Sequence, residues 1–314
     1  MKRYIILGAI VCSGVAAVTV TAQGLPGVTA AEQVSDNLYR IPGNGGNTIA
    51  FVRSSDVVLV DTKIPSSGES ILAELRKVTD KPVGMVINTH SHPDHVGSND
   101  FFTKAGQIEV VAQQNSAARM RAGGGPMPAL RVDKTFNRSM KVGEGADAVE
   151  LYHFGAGHTD GDAFVVFPAA KAMAAGDIYA WHMAPLIDPG SGGSVLAAPT
   201  TLTAAYYSID GVDKVITGHG AVRTWDEFRS YVQFNRALVQ TAESTLQAGG
   251  TVDDAYAAME RMPSFQVFMG SERMKGLEYG GTPRSRVKIN LTVAFQELRG
   301  EEPQLIMNLP PDQQ

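Results

Sequence analysis

Short apolar runs alternate with amphipathic stretches along the first two thirds of the chain. The runs NTIAFVRS and DVVLVDT, between Asn47 and Thr62, predict a pair of strands, because β-branched and aromatic residues dominate them and a polar turn separates them. A serine-rich start followed by apolar residues at helical spacing predicts a helix over Ser66–Lys77. The apolar run Val83–Asn88 predicts the next strand. This alternation of strand and helix indicates an α/β fold.

Toward the C-terminus, the alternation of helix and strand is followed by three consecutive strands and then by mainly helical segments. Helices are predicted over residues 97–104 and 115–121 around a strand at 108–112, followed by strands in VELYHF, AFVVFP and AMAAGDIY, a helix over 194–209 and a strand at 212–217. Helical periodicity dominates residues 224–262 and returns at 287–298. The breaker-rich residues 122–130, AGGGPMPAL, fit a lid over an active site and a plain surface connection equally well.

The first 22 residues carry the features of a signal peptide. Lys2 and Arg3 form a positive start, an apolar run covers Ile5 to Val20, and small residues end at Ala22. A retained membrane anchor is the alternative, but the run is shorter than the roughly 20 residues of a spanning helix. We therefore expect export to the periplasm or the exterior, a main domain over residues 23–235, and a C-terminal helical extension over 236–314 that packs on the core.

Charge and cysteine content narrow the classes of partner. The formal net charge is -5, and removal of Lys2 and Arg3 with the leader would make it -7, so the chain lacks the basic surface that binds nucleic acid. The single cysteine, Cys12, lies inside the leader, and the mature protein is therefore expected to contain no thiol nucleophile or thiolate ligand. We expect a small-molecule substrate, with no nucleic acid and no stable membrane insertion after leader cleavage. The sequence leaves the oligomeric state open.

A dense cluster of possible metal ligands follows the strand at 83–88. The segment His90-Ser91-His92-Pro93-Asp94-His95 places four such ligands within six residues, in a chain that has 7 histidines among 314 positions. Alternation at a strand end sends His90 and His92 to one side, whereas a helical turn starting at Pro93 allows Asp94 and His95 to point toward a second position. Imidazoles and carboxylates suit zinc. One short segment could thus supply ligands to two neighbouring metal ions.

This H-x-H-x-D-H motif, preceded by a β-pair that ends in Asp61, resembles the metallo-β-lactamase superfamily. The resemblance extends from about Asn47 to about Gly220 and includes Gly157-His158-Thr159, Gly176-Asp177 and Gly218-His219-Gly220, in the family's order. It implies a four-layer αβ/βα sandwich, here with C-terminal helices. It further implies that one zinc ion is held by His90, His92 and His158, that the other is held by Asp94, His95 and His219, that Asp177 bridges the two ions, and that Asp61 orients a ligand histidine.

The same resemblance implies a hydrolase that uses two Zn²⁺ ions and a hydroxide shared between them, with Asp94 orienting the nucleophile or receiving its proton. Asp177 occupies a position where β-lactamases of this superfamily usually carry cysteine or serine. We therefore favour a lactone, ester or thioester slightly over a β-lactam as the substrate. An iron-binding redox protein and a non-catalytic metal-binding module on the same fold are the remaining alternatives.

Four residues with possible site roles fall outside the motif. His153 is interpreted as a strand residue, and His182 is a stronger candidate for the site because it follows Asp177 closely. Tyr179 and Trp181 fit a wall of the substrate site and ordinary packing equally well.

Overall fold

The computed structural model describes residues 27–124, 127–269 and 283–303. The predicted signal peptide, residues 1–22, lies outside these ranges, and its cleavage and the export of the protein stay predictions. Among the helices in the described ranges, none combines the length and the apolar character needed to cross a membrane.

Two sheets form the centre of the molecule. The first contains seven strands in the order β1 to β7 and the second contains six in the order β13-β12-β11-β10-β9-β8. The strands of the first sheet are Glu32–Ser35 (β1), Leu38–Ile41 (β2), Thr48–Val52 (β3), Val57–Val60 (β4), Val83–Asn88 (β5), Glu109–Gln113 (β6) and Lys134–Phe136 (β7). Those of the second are Ser139–Val142 (β8), Val149–Tyr152 (β9), Phe164–Phe167 (β10), Ala172–Gly176 (β11), Lys214–Thr217 (β12) and Val222–Thr224 (β13).

Helices cover the outer face of each sheet. Those before β12 are Gly68–Leu75 (α1), Pro93–Val96 (α2), Asn99–Ala105 (α3), Gln114–Ala122 (α4) and Ala198–Ser208 (α5). The C-terminal ones are Trp225–Gln247 (α6), Val252–Glu260 (α7), Gln266–Met269 (α8) and Pro283–Leu298 (α9). This is the predicted αβ/βα sandwich, and the fold class is confirmed.

The strand VVLV of β4 shows why central strands lack a polar face. Val58 and Val60 pack against the second sheet, whereas Val57 and Leu59 pack against the helices on the outside of the first sheet. All four side chains are buried. Strands covered on both faces are expected to be apolar throughout, and each sheet therefore stands between two layers of core.

The parallel pairs β4/β5, β5/β6 and β11/β12 are central to the two sheets. Parallel strands bring their carboxyl ends to one edge, where the loops that follow them can combine into a site. The two sheets present these loops at the same end of the sandwich, because side chains that follow β4, β5, β11 and β12 meet there.

Several edge strands were not predicted. The strands β1, β2, β7, β8 and β13 were not anticipated from the sequence. The predicted helical run over 224–262 is divided into α6 and α7, where Gly249 adopts a φ of 76°. Such a left-handed residue ends a helix readily when it is glycine.

The C-terminal helices pack on the second sheet. Side chains from α6, α7 and α9 share one core cluster with β10 and β11, including Phe228, Leu238, Met259, Leu291 and Phe164. Residue 235, where the predicted main domain ends, lies inside α6. The division of the chain into a main domain and an extension stays a prediction.

Candidate metal centre

The seven predicted ligands lie beyond the carboxyl ends of strands from both sheets. His90 and His92 follow β5, Asp94 and His95 lie on the short helix α2, and His158 lies in the loop after β9. Asp177 directly follows β11, and His219 lies two residues beyond β12. The structure brings all seven side chains together at this one edge.

The seven side chains form two adjoining groups. The nitrogen atoms of His90, His92 and His158 lie within 4.8 Å of one another, and so do the ligand atoms of Asp94, His95 and His219. We call the first the three-histidine group and the second the aspartate group. Asp177 lies between them, with Oδ1 3.2 Å from His95 Nε2 and Oδ2 4.0 Å from His158 Nε2. Ligand atoms of His90, His95 and Asp177 also lie within 4.8 Å of one another, so the two groups overlap, and the assignment of ligands to individual ions stays a prediction.

Hydrogen bonds on the outer nitrogens orient the three-histidine group. His158 Nδ1 donates to the carbonyl oxygen of Leu186, and His92 Nε2 donates to Asp188 Oδ2 at 2.9 Å. The inner nitrogens, His92 Nδ1 and His158 Nε2, then face each other at 2.9 Å with both lone pairs pointing inward. Two lone pairs at this distance repel, and a cation between them removes the repulsion. The donor geometry therefore fits a metal ion.

Two buried atoms support the same conclusion. Among the described residues, His90 Nε2 lacks a hydrogen-bond partner and Asp177 Oδ1 has only its ion-pair contact with His95 Nε2 at 3.2 Å, although both atoms are buried. Buried polar atoms in native proteins are almost always satisfied. Both atoms point into the space between the groups, where metal ions would supply the missing partner.

The electrostatics of the two groups differ. Burial, together with the neighbouring His95, His92 and His158, lowers the pKa of His90 well below its ordinary value. Burial also lowers the pKa of His158 to about 4, assisted by His92. These imidazoles are neutral at pH 7, the form that binds a metal ion.

In the aspartate group, carboxylates dominate. Burial opposes a charge on His95, but Asp177, Asp94 and Asp61 outweigh it and raise the pKa of His95 well above its ordinary value. The pKa of His219 is raised against burial in the same way by Asp177 and Asp94. Carboxylates that attract protons to these imidazoles would attract a metal cation equally strongly.

Asp61 fixes the His95 imidazole through the ring nitrogen that faces away from the metal site. Its Oδ2 accepts a hydrogen bond from His95 Nδ1 at 2.7 Å, and its side chain also accepts from the amide and hydroxyl of Thr89 at 2.9 and 2.6 Å. The carboxylate keeps a proton on Nδ1, so a metal ion that binds His95 would displace the proton on Nε2, the nitrogen that faces the aspartate group. Asp61 thus has the contact that the resemblance implied.

Glycine permits the close approach of two loops to the site. A Cβ atom on Gly46 would lie 2.3 Å from His95 Cε1, and one on Gly218 would lie 2.0 Å from Asp177 Oδ1. The loop containing Gly46 is held by Lys63, whose buried ammonium donates to the carbonyl oxygens of Ile41 and Gly46 at 2.7 and 2.8 Å.

Sequence reasoning missed Asp188, which orients His92 from 96 positions away in the chain. The Asp-Pro-Gly turn at this position was the only local signal. His153 and His182 belong to neither ligand group: His153 Nδ1 bonds the carbonyl oxygen of Asp162 at 2.8 Å, and His182 packs edge-on against Phe268.

The two aromatic candidates have different positions. Tyr179 is fully buried and stacks on Tyr231 with ring centroids 4.2 Å apart, so it belongs to the core. Trp181 stacks on the imidazole of His219 at 4.4 Å, and the guanidinium of Arg286 lies 4.3 Å from the centroid of its ring. Trp181 therefore packs against a predicted ligand.

A sequence model described as the metallo-beta-lactamase superfamily matches residues 41–179, a range that includes His90 through Asp177 and ends before His219. A type 2 metallo-beta-lactamase of Elizabethkingia meningoseptica is 30% identical over 156 residues, 47% of this chain and 61% of that protein. A linear primary-alkylsulfatase of Pseudomonas sp. (strain ATCC 19151) is 27% identical over 201 residues, 60% of this chain and 31% of that protein.

The chain thus spans 61% and 31% of the lengths of these two relatives. Among solved structures, a metallo-beta-lactamase from Pontibacter korlensis superposes with a TM-score of 0.57 at 17% identity, covering 66% of this chain and 98% of that one. At this identity the similarity concerns the fold. About a third of the present chain lies outside the superposition.

Proposed function

Because the chain belongs to the metallo-beta-lactamase superfamily, whose members include metal-dependent hydrolases, we propose that it is an exported hydrolase with two zinc ions that cleaves a lactone, ester or thioester of a small molecule. The observation that carries the proposal is the pair of adjoining ligand groups, which offers three imidazoles on one side and a carboxylate-rich set on the other. When bound there, two zinc ions would lower the pKa of a water molecule toward 7 and polarise the bond under attack.

Each side chain of the centre has a distinct task in this proposal. His90, His92 and His158 would hold one ion, and Asp94, His95 and His219 the other, with Asp177 between them. Asp61 and Asp188 keep His95 and His92 in the tautomers whose lone pairs point inward. Four carboxylates at or directly behind the centre would offset the four positive charges of two dications.

Asp94 is the best candidate for handling a proton. Its side chain is 35% exposed, whereas that of His95 is fully buried, so Asp94 borders the space that a substrate must enter. Burial would raise the pKa of Asp94, but the positive charge on His95 and His219 prevails and lowers it, which keeps the carboxylate ionised. An ionised carboxylate at this position can orient a nucleophile or accept its proton.

A comparison of two alanine variants tests this assignment. We expect Asp94→Ala to lower the turnover number by more than His95→Ala at saturating zinc, because only Asp94 would act on the proton as well as on the metal. Equal losses would show that Asp94 is a ligand only.

Two relatives define the competing substrates. Similarity to a metallo-beta-lactamase favours a β-lactam, and similarity to an alkylsulfatase favours a sulfate ester. Zinc-loaded protein should therefore be assayed on a γ-lactone, an acyl thioester, nitrocefin and a linear alkyl sulfate. Fastest hydrolysis of the lactone or thioester supports the proposal, and fastest hydrolysis of nitrocefin or the alkyl sulfate replaces it with that activity.

Elemental analysis separates the hydrolase from the other classes. Protein purified without added metal should contain zinc at close to two ions per chain. Substantial iron would favour redox chemistry, and bound zinc without turnover of any of the four substrates would favour a non-catalytic module.

A further inference from the structure

A cavity of about 160 Å³ adjoins the three-histidine group. His92 and Ser91 line it on the side of the metal centre, and the other lining residues come from α2, from α4 and the loop after α4, and from Ser191. His92 belongs both to the cavity wall and to the three-histidine group. A molecule seated in the cavity therefore reaches the metal centre without crossing another layer of protein.

The cavity walls are mainly apolar and firmly held. Val96, Met120 and Leu130 contribute side chains that are otherwise buried in the core outside the first sheet. The amide of Leu130 donates to the carbonyl oxygen of Met120 at 2.7 Å, which fixes the end of the loop to α4. Met127 is held by a reciprocal pair of backbone hydrogen bonds with Gly124, both 3.0 Å long. These contacts keep the cavity open.

Arg119 is the only arginine or lysine among the residues that line the cavity, and its charge is already paired. Arg119 binds both carboxylate oxygens of Asp160, with Nη2 2.9 Å from Oδ2. The backbone of Asp160 is in turn held by the side-chain amide of Asn115 at 2.9 Å. A bidentate pair of this kind has little remaining attraction for an anion. The cavity consequently favours an uncharged group over a second carboxylate or phosphate.

We propose that this cavity binds the uncharged, apolar chain of the substrate while the bond to be cleaved lies at the metal centre. The orientation of this substrate chain, with its cleavable bond at the metal centre, rests on the proposed hydrolase function. The substrate class becomes an ester or thioester with a linear apolar chain. Flexible methionine side chains on the wall suit such a chain, because they adapt to its shape.

A homologous series of substrates tests the proposal. On 4-nitrophenyl acetate, butyrate, hexanoate and octanoate, kcat/KM should rise about fourfold for each methylene that enters the cavity, since each buried methylene contributes a constant increment of binding. The gain should appear mainly in KM, because the chain is held equally in the ground state and the transition state.

Met127→Trp fills the cavity and should abolish the increase from acetate to octanoate. The matched control is Met140→Trp, at a partly buried methionine on β8 in the second sheet, outside the cavity lining. The control should retain the increase. An equal rise with chain length in wild type and Met127→Trp overturns the proposal.

A binding measurement separates the cavity from the activity. Calorimetry of the full-chain protein with 1-butanol, 1-hexanol and 1-octanol should show affinity rising with chain length in wild type and in Met140→Trp, but not in Met127→Trp. If no ester is hydrolysed and this pattern is seen, the hydrolase function fails and the cavity stands. If esters are hydrolysed without dependence on chain length and alkanols do not bind, the cavity proposal fails and the hydrolase stands.

Discussion

Replacing Asp61 with asparagine tests how the aspartate group is kept ready for a metal ion. The carboxylate accepts hydrogen bonds from Thr89 N, Thr89 Oγ1 and His95 Nδ1 at 2.9, 2.6 and 2.7 Å, and a longer one from Asn88 Nδ2 at 3.5 Å. Asparagine preserves the size of the side chain and tolerates the φ of 60° at this position, whereas alanine would add backbone strain of about 1–2 kcal/mol. The variant therefore changes the chemistry of one atom with little change in shape.

The expected loss follows from the tautomer of His95. An amide nitrogen in place of Oδ2 donates a hydrogen bond, and Thr89 Oγ1 can rotate to accept it. His95 Nδ1 can accept from the amide only after losing its proton, and the proton then moves to Nε2, the atom that faces the metal site. Removing such an orienting partner lowers metal affinity by about 10- to 100-fold, or about 1.4–2.7 kcal/mol.

The assay is competition for zinc with a chromophoric chelator, in a double-mutant design. Asp61→Asn should lower zinc affinity strongly in wild type and in a His92→Ala background, but add little in a His95→Ala background, because it acts through His95. Asp188→Asn should show the reverse dependence, since Asp188 bonds His92. Its loss should be smaller, because the Asp188 side chain is 21% exposed and water can replace it.

The reasoning is refuted if Asp61→Asn lowers affinity equally in both alanine backgrounds, since the effect would then not pass through His95. It is also refuted if the variant binds zinc as tightly as wild type.

Three further predictions concern residues that hold the site from outside. Burial lowers the pKa of Lys63 to about 7 from an ordinary 10.5, so the unfolded chain binds more protons between these values. The free energy of unfolding of metal-free protein should therefore rise across that range in wild type but not in Lys63→Met, and equal denaturation midpoints at pH 7 and 10 in wild type would contradict this. Gly46→Ala, whose Cβ would lie 2.3 Å from a ligand imidazole, should lower zinc affinity more than Gly106→Ala, where a Cβ meets nothing within 4 Å, and equal affinities would exclude the close approach. Arg286→Met removes a cation–π contact with Trp181, worth about 2 kcal/mol when desolvated; zinc affinity should fall several-fold and the near-ultraviolet circular dichroism should change, and constancy of both would refute the contact's role.

Central strands were predictable because strands that are buried on both faces consist mainly of apolar residues, which the local sequence shows directly. The run Val83–Asn88 was predicted as a strand with the bounds that the structure shows, since it is largely apolar, half of its residues are β-branched, and Pro82 precedes it. The edge strand Glu32–Ser35 has only one buried residue among four, so its own sequence carries little strand character. It is a strand because Leu38–Ile41 lies beside it and offers hydrogen-bonding partners.

The candidate site likewise contains residues that the local sequence indicates and contacts that depend on distant parts of the chain. The six-residue segment from His90 to His95 is a local signal, and its spacing alone indicated two adjoining groups. The contact between Asp188 and His92 depends on a turn that packs from a distant part of the chain. The closeness of Gly46 to His95 likewise depends on how a loop folds back, and neither could be found from spacing.

The helix α9 makes the site dependent on the C-terminal part of the chain. Arg286 on α9 lies over one partner of a stack in which Trp181 contacts His219, so the last predicted ligand is backed by a residue 67 positions further along. Burial lowers the pKa of Arg286 to about 10, opposed by Asp177, yet the guanidinium remains charged at pH 7. A buried cation this close to a metal centre would partly offset the carboxylates there. Truncation before α9 should therefore impair zinc binding at the aspartate group as well as stability, because the stack that holds His219 would lose its outer layer.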